Sequence, residues 1–103
     1  NIPHILPVIF TGDFNVSYQS EAYKTLTTND YVLKDAHKVA KEAKGPIYTF
    51  HDFGRLSEEK REKIDFIFVS SPIEVLKSEI VQESKELAEY LSDHNPQIID
   101  IEM

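Results

Sequence analysis

Apolar and polar positions along the chain alternate between short buried-looking runs and helical spacings. Leu6-Pro7-Val8-Ile9-Phe10-Thr11 is an apolar run rich in β-branched residues and stopped by Gly12-Asp13, the signature of a buried strand. Ala22, Tyr23 and Leu26 then recur at helical spacing within Gln19 to Leu26, with Ser20 placed to cap the helix. A second, weaker helix is expected within Lys34 to Ala43, closed by Gly45-Pro46. Ile47-Tyr48-Thr49-Phe50 reads as a short strand. Arg55 to Lys63 carries no large apolar residue after Leu56, so it reads as a solvated loop or a short exposed helix. Ile64-Asp65-Phe66-Ile67-Phe68-Val69 is the clearest strand, apolar on both faces apart from one carboxylate. Val75 to Ile80, with Ile80 to Glu83, suggests another strand, Leu87 to Leu91 a helical turn, and Gln97 to Ile101 a final strand after Pro96. Strands interspersed with helices, without internal repeats or low-complexity linkers, predict an α/β fold.

The acids matter for where they fall. Asp13 ends an apolar strand in Gly12-Asp13-Phe14-Asn15, Asp65 lies inside one, and Asp93-His94 stands just before the last. An ionised carboxylate on a buried strand costs several kcal/mol unless it is paired or bound to metal. Each feature has an ordinary reading. Gly12-Asp13 fits a turn, Asp65 a structural pair with Arg55 or a nearby lysine, and Asp93-His94 a polar turn. Their joint occurrence fits phosphoester hydrolysis better. That chemistry needs a hard divalent ion to neutralise phosphate and acidify water, a carboxylate to orient that water, and a histidine held by a carboxylate.

Composition narrows the classes. The chain has 103 residues, 41% of them hydrophobic, which suits one small globular domain rather than a disordered segment. The absence of cysteine excludes a disulfide framework, a thiolate metal site and a cysteine nucleophile. A net charge of −7 argues against non-specific binding to nucleic acid, although a bound cation would reverse the local sign. No apolar run is long enough to span a bilayer, and no segment reads as a signal peptide. The chain begins at Asn1 rather than Met, so the natural N-terminus is expected upstream, and the compartment is not legible.

Thr11-Gly12-Asp13-Phe14-Asn15, Lys63-Ile64-Asp65-Phe66-Ile67 and Ser92-Asp93-His94-Asn95-Pro96, in this order, resemble the C-terminal signatures of the endonuclease/exonuclease/phosphatase superfamily. Ile47-Tyr48-Thr49-Phe50-His51-Asp52-Phe53 is similar to the strand before the middle signature in bacterial or deadenylase-like members. The resemblance implies that residues 1–103 form the C-terminal half of such a domain, with the N-terminal half missing. It also implies half of a four-layer α/β sandwich, with one mainly antiparallel or mixed sheet and helices on one face. Asp13 is then expected to orient or activate the attacking water, and Asn15 to contact the scissile phosphate. His94 is expected to hold a phosphoryl oxygen or transfer a proton, Asp65 to hold His94, and Asp93 to ligate Mg2+ or Mn2+. Thr49 and His51 are candidates for the substrate-binding wall.

The implied substrate is a phosphoester: a nucleic acid, a phospholipid head group or a small phosphate ester. The implied partner is the missing half, or a second copy, on an exposed sheet face. The fragment alone is expected to be inactive. Two other classes remain at this point, a non-catalytic interaction module that keeps the fold and a plain structural α/β domain.

Overall fold

The computed structural model describes residues 6–17, 19–28, 33–82 and 92–103. It contains strands β1 (Ile9–Asp13), β2 (Lys34–Asp35), β3 (Glu42–Lys44), β4 (Asp65–Val69), β5 (Glu74–Ile80) and β6 (Gln97–Glu102). Helix α1 spans Glu21–Thr27, α2 is one turn over Ala36–Val39, and a 3₁₀ turn covers Glu58–Lys60. Among the described residues no helix is long and apolar enough to cross a membrane.

The fold is α/β, part of an α/β sandwich, but the single sheet expected from the sequence is resolved into two of three strands each. The first has the order β1-β4-β2 and the second β3-β5-β6. Both pairings in the first sheet are antiparallel; in the second, β3 runs parallel to β5 and β6 antiparallel.

Strand β4 explains how two cores form. Its side chains alternate between faces. On one face Phe66 and Phe68 meet Tyr23 of α1, with Phe14, Leu26 and Leu33 around them. On the other, Val69 joins Ala36, Ile73 and Val75, and Ile67, Ile99 and Ile101 pack against that cluster. Burying a phenylalanine or valine side chain in this way stabilises by about 1.5–3 kcal/mol each. Helix α1 is set at its start by the expected cap, since Ser20 Oγ accepts from the Tyr23 amide at 3.1 Å.

Several expectations are corrected. Strand β1 begins at Ile9 rather than Leu6, and it is not buried: Ile9 is 48% and Phe10 43% exposed. It is an outer strand of its sheet, paired with β4 on one edge only among the described residues. The helix expected over Lys34 to Ala43 shrinks to α2, because Lys34 and Asp35 are drawn into pairing with Val69 and Phe68. Asp35 instead caps that turn, accepting from the His37 amide at 3.1 Å.

Ile47 to Phe50 forms no strand but an irregular segment with single bridges from Phe50 to Glu62 and to His94. The charged stretch is not wholly solvated. The Arg61 guanidinium lies over the Tyr48 ring at 5.1 Å and donates to Leu56 O and Tyr48 Oη, both at 2.8 Å. Strand β5 ends at Ile80, and the helical turn expected at Leu87 to Leu91 falls outside the described residues.

Candidate active site

The register of the first sheet sets the site. Asp13 and Asp65 are cross-strand partners at one end of the β1–β4 ladder. Like charges directly opposite on neighbouring strands repel, at roughly 0.2–1 kcal/mol. The structure seats a histidine between them: His94 Nδ1 lies 2.6 Å from Asp65 Oδ2, and Nε2 lies 3.7 Å from Asp13 Oδ2. Nε2 is also 3.9 Å from Asp93 Oδ1.

With its Nδ1–H donated to Asp65, the ring keeps Nε2 for whatever approaches from the Asp13 side. Partial burial pulls the His94 pKa down. The hydrogen bond to Asp65 and the charges of Asp65, Asp93 and Asp13 outweigh it, so the pKa is raised and the imidazolium is favoured.

Local backbone geometry fixes the other members. Asn15 has φ 54°, the left-handed region that asparagine tolerates better than most residues, and its amide donates to Asp13 Oδ1 at 2.9 Å. One Asp13 oxygen is thereby held by its own turn while the other faces His94. The Ser92 hydroxyl accepts from the His94 amide at 3.1 Å, and the Asp93 carbonyl accepts from the His51 and Asp52 amides at 3.0 and 3.3 Å. Asp13, Asp65 and His94 bring ligand atoms within 4.8 Å of one another and form a group that can hold a metal ion. Asp93 stands at the rim, outside that group of three. Carboxylate oxygens suit a hard divalent ion, and two of the three members of the group, Asp13 and Asp65, offer them.

Two cavities meet at this point. A groove of about 760 Å³ is lined by Thr11, Asp13, Asp65, Ile67, His94 and Pro96, among others. A second cavity of about 470 Å³ is lined by Asp13, Asn15, Phe50, Glu62 and His94, among others. Of the residues expected from sequence, Asp13, Asn15, Asp65 and His94 line one or both cavities, and Asp93 is adjacent through His94.

Thr49 and His51 do not line either cavity; they are 0% and 2% exposed and serve the scaffold. Thr49 Oγ1 accepts from the Ile64 and Asp65 amides at 3.0 and 3.2 Å, fixing the entry to β4. His51 Nδ1 accepts from the Gly54 amide at 3.0 Å, closing a turn.

Two neighbours of the site escaped the sequence reading. Phe50 packs its ring 5.1 Å from that of His94. Lys63, 8% exposed, donates to the Asp65 carbonyl at 2.6 Å and lies 4.0 Å over the Phe66 ring. Burial pushes its pKa down to about 8, against the opposing pull of Asp35 and Asp65. In the sequence Lys63 heads the Lys63-Ile64-Asp65-Phe66-Ile67 signature, but a charge count hides its burial.

Residues 1–94 match the family described as Endonuclease/Exonuclease/phosphatase family. The chain belongs to that family. A solved structure of an endonuclease/exonuclease/phosphatase from Bacteroides vulgatus is 52% identical, with a TM-score of 0.89 over 94% of this chain and 36% of that one. A mannosyl-6-phosphatase from Bacteroides thetaiotaomicron is 27% identical, with a TM-score of 0.80 over 98% of this chain and 39% of that one. A conserved protein of unknown function from Enterococcus faecalis is 25% identical, with a TM-score of 0.78 over 93% of this chain and 36% of that one. The chain therefore spans little more than a third of the length of these family relatives. A comparison with curated protein sequences found no significant match.

Proposed function

We propose that this chain supplies one part of a divalent-metal-dependent phosphoesterase site, hydrolysing its substrate by in-line attack of water at phosphorus. The observation that carries this reading is the His94 ring seated between the facing carboxylates of Asp65 and Asp13. Asp13 Oδ2, the oxygen not taken by the Asn15 amide, orients the water and receives its proton. Asn15, which lines the smaller cavity, contacts the scissile phosphate in this reading. His94 donates Nε2–H to a phosphoryl oxygen, and Asp65 keeps the ring charged and turned that way.

Asp93 would hold the ion, Mg2+ or Mn2+; when bound, that ion would neutralise phosphate charge and lower the pKa of water. Thr49 is a positioning residue, because its hydroxyl fixes the amide of Asp65. The family relationship and the name of the Bacteroides thetaiotaomicron relative support phosphoesters in general and place sugar phosphates among the substrates to be tried. In the same reading, the rest of a domain of its relatives' length covers the exposed Ile9 and Phe10 and completes the metal site. Activity is accordingly expected from the protein at its natural length and not from this chain alone.

The test is hydrolysis of a generic phosphodiester and a generic phosphomonoester by that protein with Mg2+. Asp13→Ala and His94→Ala are each expected to lose roughly 10²–10⁴-fold in rate with folding intact. Unchanged rates in both variants would remove the site from the chemistry.

A further inference from the structure

The smaller of the two cavities has a chemistry that the hydrolytic residues do not use. Asp13 and His94 form the wall it shares with the larger groove. Beyond them the lining includes Asn15, Ser17, Ser20, Phe50 and Glu62, with Val16 and Ile64 as its aliphatic members. Phe50 is tilted 58° to the His94 ring at 5.1 Å, so an aromatic surface lies directly beside the imidazole. Ser17 Oγ accepts from the Gln19 amide at 3.3 Å and Ser20 Oγ from the Tyr23 amide at 3.1 Å. Those bonds fix both oxygens in place, and each hydroxyl keeps a hydrogen to donate. The Glu62 carboxylate can only accept.

An apolar ring flanked by fixed donors and a carboxylate acceptor matches an alcohol carrying several hydroxyls. Its C–H faces lie on the aromatic surface while its hydroxyls donate to Glu62 and accept from the serines. The volume of about 470 Å³ falls in the range of small-molecule sites. The same lining disfavours a nucleic-acid strand, because beyond His94 it offers the next phosphate no basic side chain among the described residues and sets the Glu62 carboxylate beside it.

We propose that this cavity is the leaving-group subsite and that it takes the uncharged, hydroxyl-bearing alcohol of a phosphate ester, a sugar phosphate in class. The proposal rests on the phosphoesterase reading above and adds to it the identity of the leaving group. Water oxygen bonds to phosphorus as the bond from phosphorus to the sugar oxygen breaks. The water proton passes to Asp13, the departing oxygen takes a proton from solvent, and free sugar and inorganic phosphate are released.

The test compares three esters on the natural-length protein with Mg2+: glucose 6-phosphate, cyclohexylmethyl phosphate (a similar ring without hydroxyls) and a thymidine dinucleotide. Turnover is measured for each, and binding is followed by calorimetry alongside. Glucose 6-phosphate is expected to exceed cyclohexylmethyl phosphate in kcat/KM by roughly tenfold or more, the worth of one or two hydrogen bonds. Glu62→Gln, at an exposed position, is expected to narrow that ratio, and Phe50→Leu to raise KM for the sugar ester.

Equal turnover of the two ring esters, with a ratio untouched by Glu62→Gln, overturns the subsite and leaves the phosphoesterase standing. Preference for the dinucleotide overturns the substrate class. Neither turnover nor binding of any of the three overturns the subsite together with the phosphoesterase reading.

Discussion

His94 and His37 are both partly shielded from water, yet they stand in opposite electrostatic settings. His94 sits at the end of the first sheet among Asp65, Asp13 and Asp93, and its pKa is raised. His37 sits in α2 with Nδ1 2.6 Å from the Ser78 hydroxyl. Burial first, and the Lys63 charge second, push its pKa down, with Asp35 opposing. The first ring is therefore biased toward the imidazolium and the second toward the neutral form. Burial opposes the charge in both cases, so the neighbours make the difference.

A polar chain joins the two regions. Ser78 Oγ meets His37 and accepts from Gln97 Nε2 at 3.1 Å, Gln97 Oε1 accepts from Lys63 at 3.4 Å, and Lys63 donates to the Asp65 carbonyl. Lys63 thus adds to the lowering at one histidine while bracing the strand that serves the other.

The contrast can be broken most strongly at Asp65. Asp65→Asn keeps the shape but removes the charge. The His94 pKa is expected to fall while that of His37 stays put, as followed by NMR titration. Turnover by the natural-length protein is expected to drop roughly 10²–10⁴-fold. The sign follows from the raised folded value. The stability that His94 gains from its acids is complete below its unfolded pKa near 6.5 and is lost as pH rises through the folded pKa. In the variant that slope should flatten, and a His94 titration identical to wild type would refute the pairing.

Lys63→Met comes next. With a folded pKa near 8 against 10.5 unfolded, the buried ammonium opposes folding below pH 8, and the opposition fades between pH 8 and 10.5. Denaturant midpoints across that window should show wild type gaining on the variant by about 3 kcal/mol, an upper bound from the shift. The His37 pKa should rise in the same variant.

Thr49→Val sharpens the comparison from the scaffold side. It leaves the Ile64 and Asp65 amides without the hydroxyl they share, at a cost of about 2 kcal/mol in unfolding free energy. The effect on turnover should exceed any effect on the His37 titration. Tyr23→Phe is the mildest, removing the 2.8 Å bond to Asp35 Oδ2 and costing about 1 kcal/mol by thermal or chemical unfolding.

What could be read from sequence follows the same divide. Asp13, Asp65 and His94 were legible because a carboxylate at the end of an apolar run is costly, and the cost demands a partner. Strands β4 and β6 and helix α1 were legible from side-chain period and a serine cap. Strands β2 and β3 are two and three residues long and exist through pairing with β4 and β5, which no local preference reports. Thr49 and His51 were candidates for the pocket wall only through the family resemblance of the segment that holds them. The structure uses them instead to satisfy backbone amides, a role that depends on partners 3 to 16 residues away. Lys63 and Arg61 looked solvated because a charged run conceals which members find carbonyl acceptors in the interior.

The bridge between Phe50 and Glu62 closes residues 51–61 into a loop at its base, and Ser57 to Lys60 at its tip are all exposed. Doubling the length of a closed loop costs only about 0.6 kcal/mol in chain entropy. Insertions at that tip should therefore leave the approach to Asp65 undisturbed. Evolution, or a protein engineer, has there a place to graft new sequence away from both cavities at Asp13 and His94.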